Sequence, residues 1–428
     1  MNAYIGPEKI IEKKKAFLFP CSHHFYKNPP QIVKGEMQYL FDSKGKKYLD
    51  CFAGVSVMNC GHCNPEILEA TIRQMKTLQH TTTIYLTQPM VDLADRLAHV
   101  LPGDLRRSFF CCTGSEANEG ALLLARLFTG KRNFIALNHS LHGRTYLTMS
   151  TTAIPMWRAD PELDGCVTFV PNAYSRNKPL EEAAVESLEA VEKAIVSKNT
   201  HNIAALIAEP IQGNGGMITP PSWYFQKLKT ILEKHGILLI IDEVQTGFAR
   251  TGKMFAIEHY GVVPDIITVA KALGNGMPIA AFCTNDRIAP ALTKPSASTL
   301  GGNPVASSTA IAVLDYIEKY NLCAAAEKLG HKLKEGLLAL QKKHPIIHDV
   351  RGIGLMMGVE LLKENGQAAA EETDFILEEL KGRGILLGKN GLERNVLAFQ
   401  PPLVISEEDI RFLLEQLDMV FGLIKFTL

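Results

Sequence analysis

The 428-residue chain carries no excess of either charge sign: Lys+Arg and Asp+Glu are 45 each, for a formal net charge of zero. That balance leaves no electrostatic footprint for nucleic acid or an anionic membrane surface. Aromatic residues are sparse, at 7% with two tryptophans. No apolar run approaches the roughly 18 residues of a membrane span, and the first fifteen residues hold Glu8 and Glu12 without an apolar core, unlike a secretory or transit signal. Cysteine is also thin: nine thiols, odd in number and scattered, fit a reduced cytoplasmic setting better than a disulfide framework. No internal repeat or low-complexity segment is present.

One cysteine cluster invites a different reading. The stretch "NCGHCNPE" (59–66) sets His62 between Cys60 and Cys63, a spacing shared by redox dithiols and half zinc sites, and "CSHHF" adds Cys21, His23 and His24. The combined spacing matches no common zinc module, so no metal is expected. Cys111 and Cys112 read as buried small hydrophobes.

What is abundant is the pattern of a parallel sheet. Between about 130 and 285 lie "RNFIALN", "VTFVPN", "NIAALIAEP", "GILLIIDEV", "DIITVA" and "IAAFCTN", short continuous apolar runs separated by mixed-polarity segments. Continuous runs suit strands buried on both faces. One intervening segment, "PSWYFQKLKTILEKHG", reads as a helix capped by Ser222 and stopped by Gly236. Around this core, 37–50 reads as a hairpin turning at Ser-Lys-Gly, and 305–320 and 322–343 as helices. Ser406 and Asp409 resemble a capping box that opens a last helix. "RGIGLMMGVEL" spaces its glycines almost like a dinucleotide fingerprint, but they lead into an extended run and imply a hairpin. The expected architecture is α/β, a large domain with a mostly parallel sheet flanked by helices plus a smaller α+β domain. The boundaries read as 1–60 joining the small domain, 61–304 the large domain, and 305–428 the C-terminal small domain.

Ligands of parallel sheets gather at the carboxyl ends of strands. There the sequence places Asp242, ending "ILLIID", and Lys271, following "DIITVA". The two could form a structural ion pair or the two poles of a cofactor site. Thr113 and Glu116 in "CCTGSEANEGA" fit a capping box, so Gly114 and Ser115 open a helix whose free N–H groups suit an anion, phosphate above all. Lysine for an aldehyde, carboxylate for a pyridinium nitrogen and a phosphate cradle together suit pyridoxal 5′-phosphate.

With these motifs in place, the chain resembles the class III (omega) aminotransferases of the pyridoxal phosphate-dependent fold type I. The resemblance runs from "YLFDSKGKKYLDCFAGVSVMNCGHCNP" through "TGSEANEGA", "HGRT", "AEPIQGNGG", "IIDEVQTGFARTGKMFA", "DIITVAKALGNGMPIAA", "STLGGNPVA", "VRGIGLMMGVEL" and "FQPPLVI". It points toward members similar to alanine-glyoxylate, β-amino acid-pyruvate and 4-aminobutyrate aminotransferases. It implies that Lys271 bonds the cofactor, Asp242 pairs with its ring nitrogen, and Gln245 contacts its hydroxyl side. Gly114 and Ser115 would hold its phosphate, with His142 and Glu209 beside the ring. Thr299, in "STLGGNP", would reach the phosphate of a neighbouring subunit, which implies a homodimer at least, or a tetramer. The "GHCNP" loop would turn beside the substrate entrance, its Cys-x-x-Cys incidental.

Three departures from the family's pattern bear on substrate. Leu141 stands where an aromatic usually stacks on the cofactor, forgoing roughly 0.5–1.5 kcal/mol. Asn214 and Ala398 replace a Glu and an Arg that pair in glutamate-using relatives, and losing both avoids a stranded buried charge. Arg144 matches an arginine that holds a distal carboxylate in relatives acting on 4-aminobutyrate; fixing its own loop is the alternative role. The resemblance thus implies transfer of an amino group, by ping-pong half-reactions, from a terminal amine or ω-amino acid to pyruvate or glyoxylate. A lyase, decarboxylase or aminomutase of the same fold, or a 2-oxoglutarate-using 4-aminobutyrate aminotransferase, are the alternatives. A chelator or a mild reductant should leave the enzyme's rate unchanged, a direct check that the cysteine cluster is not its chemistry.

Overall fold

A computed structural model describes residues 4–197 and 202–424. Near the N-terminus, β1 (Ile32–Glu36), β2 (Tyr39–Asp42) and β3 (Lys47–Asp50) form an antiparallel meander. The hairpin between β2 and β3 turns where expected. Asp42 Oδ1 accepts the N–H groups of Lys44 and Lys46, both at 2.9 Å, and closes the turn locally.

The central sheet holds β4 (Arg107–Cys111), β5 (Asn133–Leu137), β6 (Val167–Val170), β7 (Ile203–Ala208), β8 (Leu238–Asp242), β9 (Ile266–Val269) and β10 (Ala280–Thr284). Their spatial order is β4-β10-β9-β8-β7-β5-β6, and only β10 runs against its neighbours. Both faces are covered. Leu239 and Ile241 of β8 enter one apolar cluster while Leu238 and Ile240 enter another, which explains the unbroken apolar runs. The chain therefore has the expected α/β architecture, a large, mostly parallel sheet flanked by helices.

The C-terminal part adds β11 (Ile347–Ile353), β12 (Met356–Leu361), β13 (Ile385–Leu386), β14 (Gly388–Asn390) and β15 (Val396–Phe399). The sheet β11-β12-β15-β14 is antiparallel, and "RGIGLMMGVEL" is its hairpin. β13 leaves this sheet to pair in parallel with β3. That pairing attaches the N-terminal meander to the C-terminal part. We propose on this ground the division into 1–60 with 305–428, and 61–304. The helix Pro304–Lys319 packs on the helices Pro65–Thr77 and Gln88–Val100, so it fastens the two parts across that boundary.

Helix ends follow their caps, with one correction. Ser406 and Asp409 form the expected box, as do Thr113 and Glu116, and Gly130 ends the helix Gly114–Thr129 at φ 66°. The helix Tyr224–Lys234, however, begins after Trp223, not Ser222, with no side-chain cap. Pro220 and Pro221 precede it, and a Tyr224 N–H to Pro221 carbonyl bond at 3.0 Å winds the entry.

The loop 59–66 is a structural joint. Cys60 is buried, and its N–H donates to Asn275 Oδ1 at 2.9 Å. His62 Nε2 lies 2.7 Å from Asp50 Oδ2, and Asn64 caps the helix Pro65–Thr77 by accepting from Glu66 N. Cys63 is exposed, so the two thiols face different surroundings. Among the described residues, no group of three or more His, Cys, Asp or Glu gathers as metal ligands. Nor is any helix there long and apolar enough to cross a membrane.

Arg250, fully buried, binds this joint to the C-terminal part. It donates to Leu355 O at 3.0 Å, Pro401 O at 2.5 Å and Asn59 Oδ1, and it has no carboxylate within ion-pair distance among the described residues. Removing it strands three buried acceptors at once. Arg250→Leu should lower the free energy of urea unfolding by about 3 kcal/mol or more.

Candidate active site

Five strand ends and the start of the helix Gly114–Thr129 converge on a cavity of about 410 Å³. Asp242 closes β8, Lys271 follows β9, Glu209 follows β7, the 139–144 loop follows β5, and Thr113 follows β4. Convergence at these ends follows from the parallel order, since every βα turn emerges on the same edge.

Asp242, 4% exposed, accepts three hydrogen bonds: Asn118 Nδ2 at 2.7 Å and His142 Nδ1 at 2.9 Å on Oδ2, and Val244 N at 3.0 Å on Oδ1. With the carboxylate as acceptor, the imidazole proton resides on Nδ1, and the buried Nε2 has no partner. Lys271 is held at φ 45°, in the left-handed region, by a turn whose next bend needs Gly274. A Cβ at Gly274 would lie 2.0 Å from Met277 O. Such strain in a non-glycine residue persists where the surroundings over-determine it, most often at functional sites. Burial pulls the Lys271 amine below its ordinary range, opposed by Asp242 and Glu209. Among the described residues Lys271 and Asp242 form no ion pair within 4 Å, which disfavours the simple structural-pair reading.

Glu209 accepts from Leu141 N at 3.0 Å and is pushed up to about 7, chiefly by burial, with His142 opposing and Asp242 adding to the shift. Gln245 lines the cavity with a buried Nε2 that has no partner. A Cβ at Gly213 would come within 2.3 Å of its Oε1.

At the opposite wall, Gly114 and Ser115 open their helix. Gly143, at φ 146°, approaches so closely that a Cβ there would meet Ser115 Oγ at 2.6 Å. Arg144 N donates to Ser115 Oγ at 3.2 Å. The result is a helix N-terminus with a hydroxyl and unblocked backbone, an anion cradle. Lysine amine, buried carboxylate, orphaned amide and cradle fit pyridoxal phosphate group by group.

Leu141, His142, Arg144 and Asn214 also line the cavity. The Arg144 side chain is exposed, with no hydrogen bond or carboxylate partner among the described residues, so no bond of its own ties it to the loop. Ala398 does not line the cavity. It lies beneath the wall, packed with Ile211, Met217 and Met356. Thr299 is exposed and outside the cavity of a single chain. Of the "FAGVSV–GHCNP" stretch only Val57 reaches the lining; it follows four residues, Ala53 to Ser56, with φ of 49°, 62°, 66° and 57°. Cys112 is a correction: it is half-buried and lines the cavity, while Cys111 is buried. Asn118 and Trp157 are lining residues that the sequence did not single out. Asn118 resembles any polar residue in a helix, and Trp157 lies in a short turn with no motif.

Comparison with known proteins agrees with this geometry. A family model described as aminotransferase class-III matches residues 23–421. The chain is 42% identical over 420 residues to alanine–glyoxylate aminotransferase 2 homolog 2, mitochondrial, of Arabidopsis thaliana, covering 97% of this chain and 88% of that protein. It is 38% identical over 422 residues to leucine/methionine racemase of Thermococcus litoralis, covering 96% and 94%. Among solved structures, a phospholyase from Arthrobacter in complex with phosphoethanolamine superposes with a TM-score of 0.91 at 31% identity, covering 97% of this chain and 100% of that one.

The raised Glu209 has a consequence for stability. A carboxyl whose folded pKa exceeds its unfolded value contributes fully below about pH 4.5, and that contribution is lost as pH rises through about 7. In the cofactor-free protein, Glu209→Gln should therefore match wild type near the acid end. By pH 8.5 it should be more stable by about 3 kcal/mol, read from urea melts across that range.

Proposed function

The chain belongs to the class III aminotransferases, which depend on pyridoxal phosphate, and from that premise we propose that it moves an amino group from a terminal amine or ω-amino acid to a small 2-oxo acid such as pyruvate or glyoxylate. Arg144 carries this reading: among the described residues it is, apart from Lys271 and His142, the one basic side chain lining the cavity, and it has no partner there. One arginine fork holds one carboxylate. An ω-amino acid and a monocarboxylic 2-oxo acid each bring one. A dicarboxylic acceptor brings two, and Asn214 and the apolar packing around Ala398 offer no second cation.

Bound pyridoxal phosphate supplies an electron sink that eases removal of a proton from the carbon bearing the amine. The protein's part is assigned as follows. Lys271, its amine pulled below the usual lysine range by burial, would bond the cofactor's aldehyde and, once released, move the proton through its Nζ. Asp242 pairs with the ring nitrogen and Gln245 donates from its free Nε2 toward the ring hydroxyl. Gly114 and Ser115 hold the phosphate, while Leu141, His142 and Glu209 border the ring. Leu141 excludes water from one face without stacking. Removal of the donor's product and entry of the acceptor then run the same steps in reverse.

We further propose a homodimer, or a tetramer built on it, in which Thr299 of a second copy completes the phosphate cradle. Support comes from Thr299 lying at the surface and from Ile84, Tyr85 and Leu86, 83%, 66% and 102% exposed, a run of apolar side chains that a lone chain leaves in water. We place the enzyme in the cytoplasm, in keeping with nine free cysteines.

The test is a half-reaction screen: single amines are added to holoenzyme and loss of the cofactor's absorbance is followed, then 2-oxo acids are offered to reverse it. ω-Amino acids with pyruvate or glyoxylate should be the productive pairs. A clear preference for 2-oxoglutarate overturns the acceptor, and phosphate release from phosphoethanolamine overturns amino transfer. Lys271→Ala should lose about 10³-fold or more in kcat. Arg144→Ala should raise KM for the carboxylate-bearing donor about 10- to 100-fold while leaving that for a simple alkylamine in place.

A further inference from the structure

Asn118 lies in the first turns of the helix Gly114–Thr129, 1% exposed, and its amide is fully engaged. Its Oδ1 accepts from Thr268 Oγ1 at 2.6 Å, and its Nδ2 donates to Asp242 Oδ2 and to His142 O, both at 2.7 Å. The reversed amide would press an oxygen against two acceptors, so chemistry fixes the orientation. Thr268, fully buried on β9, stands directly beside Asp242 in the strand register and gives its one hydroxyl proton to Asn118. Four chain segments thus meet at one amide.

The effect on Asp242 is asymmetric. Oδ2 accepts two bonds, from Asn118 and His142, and is saturated; Oδ1 accepts only Val244 N and keeps capacity for one more. Rotation of the carboxylate would break both bonds on Oδ2 together.

We propose that Asn118, oriented by Thr268, is a positioning residue that commits Asp242 Oδ2 to the protein and reserves Oδ1 for the N–H of the cofactor's pyridine ring. The inference rests on the reading that Asp242 faces that nitrogen. It also explains why an amide occupies the position. Aspartate would set a second carboxylate against Asp242, and leucine of similar size would leave Asp242, His142 O and Thr268 without their partner.

The readout is the protonation of the ring nitrogen itself, which a merely structural role would not move. Holoenzyme is reconstituted with pyridoxal phosphate labelled with ¹⁵N in the ring, and the nitrogen's chemical shift is followed against pH. Asn118→Leu should lower the midpoint of its deprotonation by about one pH unit or more. Thr268→Val, which deletes a single hydroxyl, should lower it less and weaken cofactor retention about 10-fold. Thr268→Ser should keep the wild-type midpoint. Wild-type midpoints in both Asn118→Leu and Thr268→Val overturn the proposal. Should Asn118→Leu fail to fold, Thr268→Val against Thr268→Ser decides. Asp242→Asn separates the two levels: an unmoved midpoint there refutes the placement of Asp242 itself, whereas a midpoint moved there but in neither Asn118→Leu nor Thr268→Val refutes only the positioning role.

Discussion

A carboxylate buried at the end of a central strand must be satisfied by donors, and the site is organised around how Asp242 meets that demand. Its three bonds come from the helix that opens the anion cradle, from the loop after β5, and from the turn after its own strand. Each donor brings its segment along. Asn118 fixes the register of the helix whose first residues are Gly114 and Ser115, and His142 fixes the loop that carries Leu141, Gly143 and Arg144. The distance between the carboxylate and the cradle is therefore set by covalent geometry and a few short bonds rather than by loose packing. A cofactor with a ring nitrogen at one end and a phosphate at the other requires such a fixed span.

The wider fold repeats the arrangement with opposite charge. Arg250 is a buried cation whose two terminal nitrogens donate to two carbonyls and an amide oxygen, drawn from the 59–66 joint and the C-terminal part, while its Nε has no partner among the described residues. Burial is tolerated because the terminal donors of the guanidinium meet three acceptors that would otherwise be orphaned. Asp242 thus organises the cavity, and Arg250 secures the part of the chain that presents β15 and the apolar cluster beneath its wall.

Local signals in the sequence located the frame. Buried strands read as continuous apolar runs, and the boxes at Thr113–Glu116 and Ser406–Asp409 lie within four residues, so no distant contact is needed to see them. Asp242 and Lys271 stood out because a charge ending an apolar run is rare without a purpose. Asn118 was illegible for the opposite reason: its partners lie 24, 124 and 150 positions away, and nothing in "SEANE" reports them. Trp157 and Cys112 reach the cavity through turns whose direction depends on tertiary packing. Ser222 looked like a cap by type, yet the two preceding prolines and the Pro221 carbonyl set the helix entry one residue later.

The cavity also departs from the rule that buried polar atoms find partners. His142 Nε2 and Gln245 Nε2 have none, while burial pulls Lys271 downward and pushes Glu209 up to about 7. Elsewhere such groups would be costly errors. Here they cluster on one wall-to-wall span, on side chains whose backbones are over-determined by strand ends and glycine-dependent turns. The two charge shifts run in opposite directions for one reason, since a dry cavity disfavours either ion. Asp242, by contrast, is met by three donors, so the two shifted groups and a hydrogen-bonded carboxylate share one cavity. Under the proposed assignment, a phosphate at the cradle and a ring at Asp242 would meet groups already held in place, so little reorganisation would accompany binding.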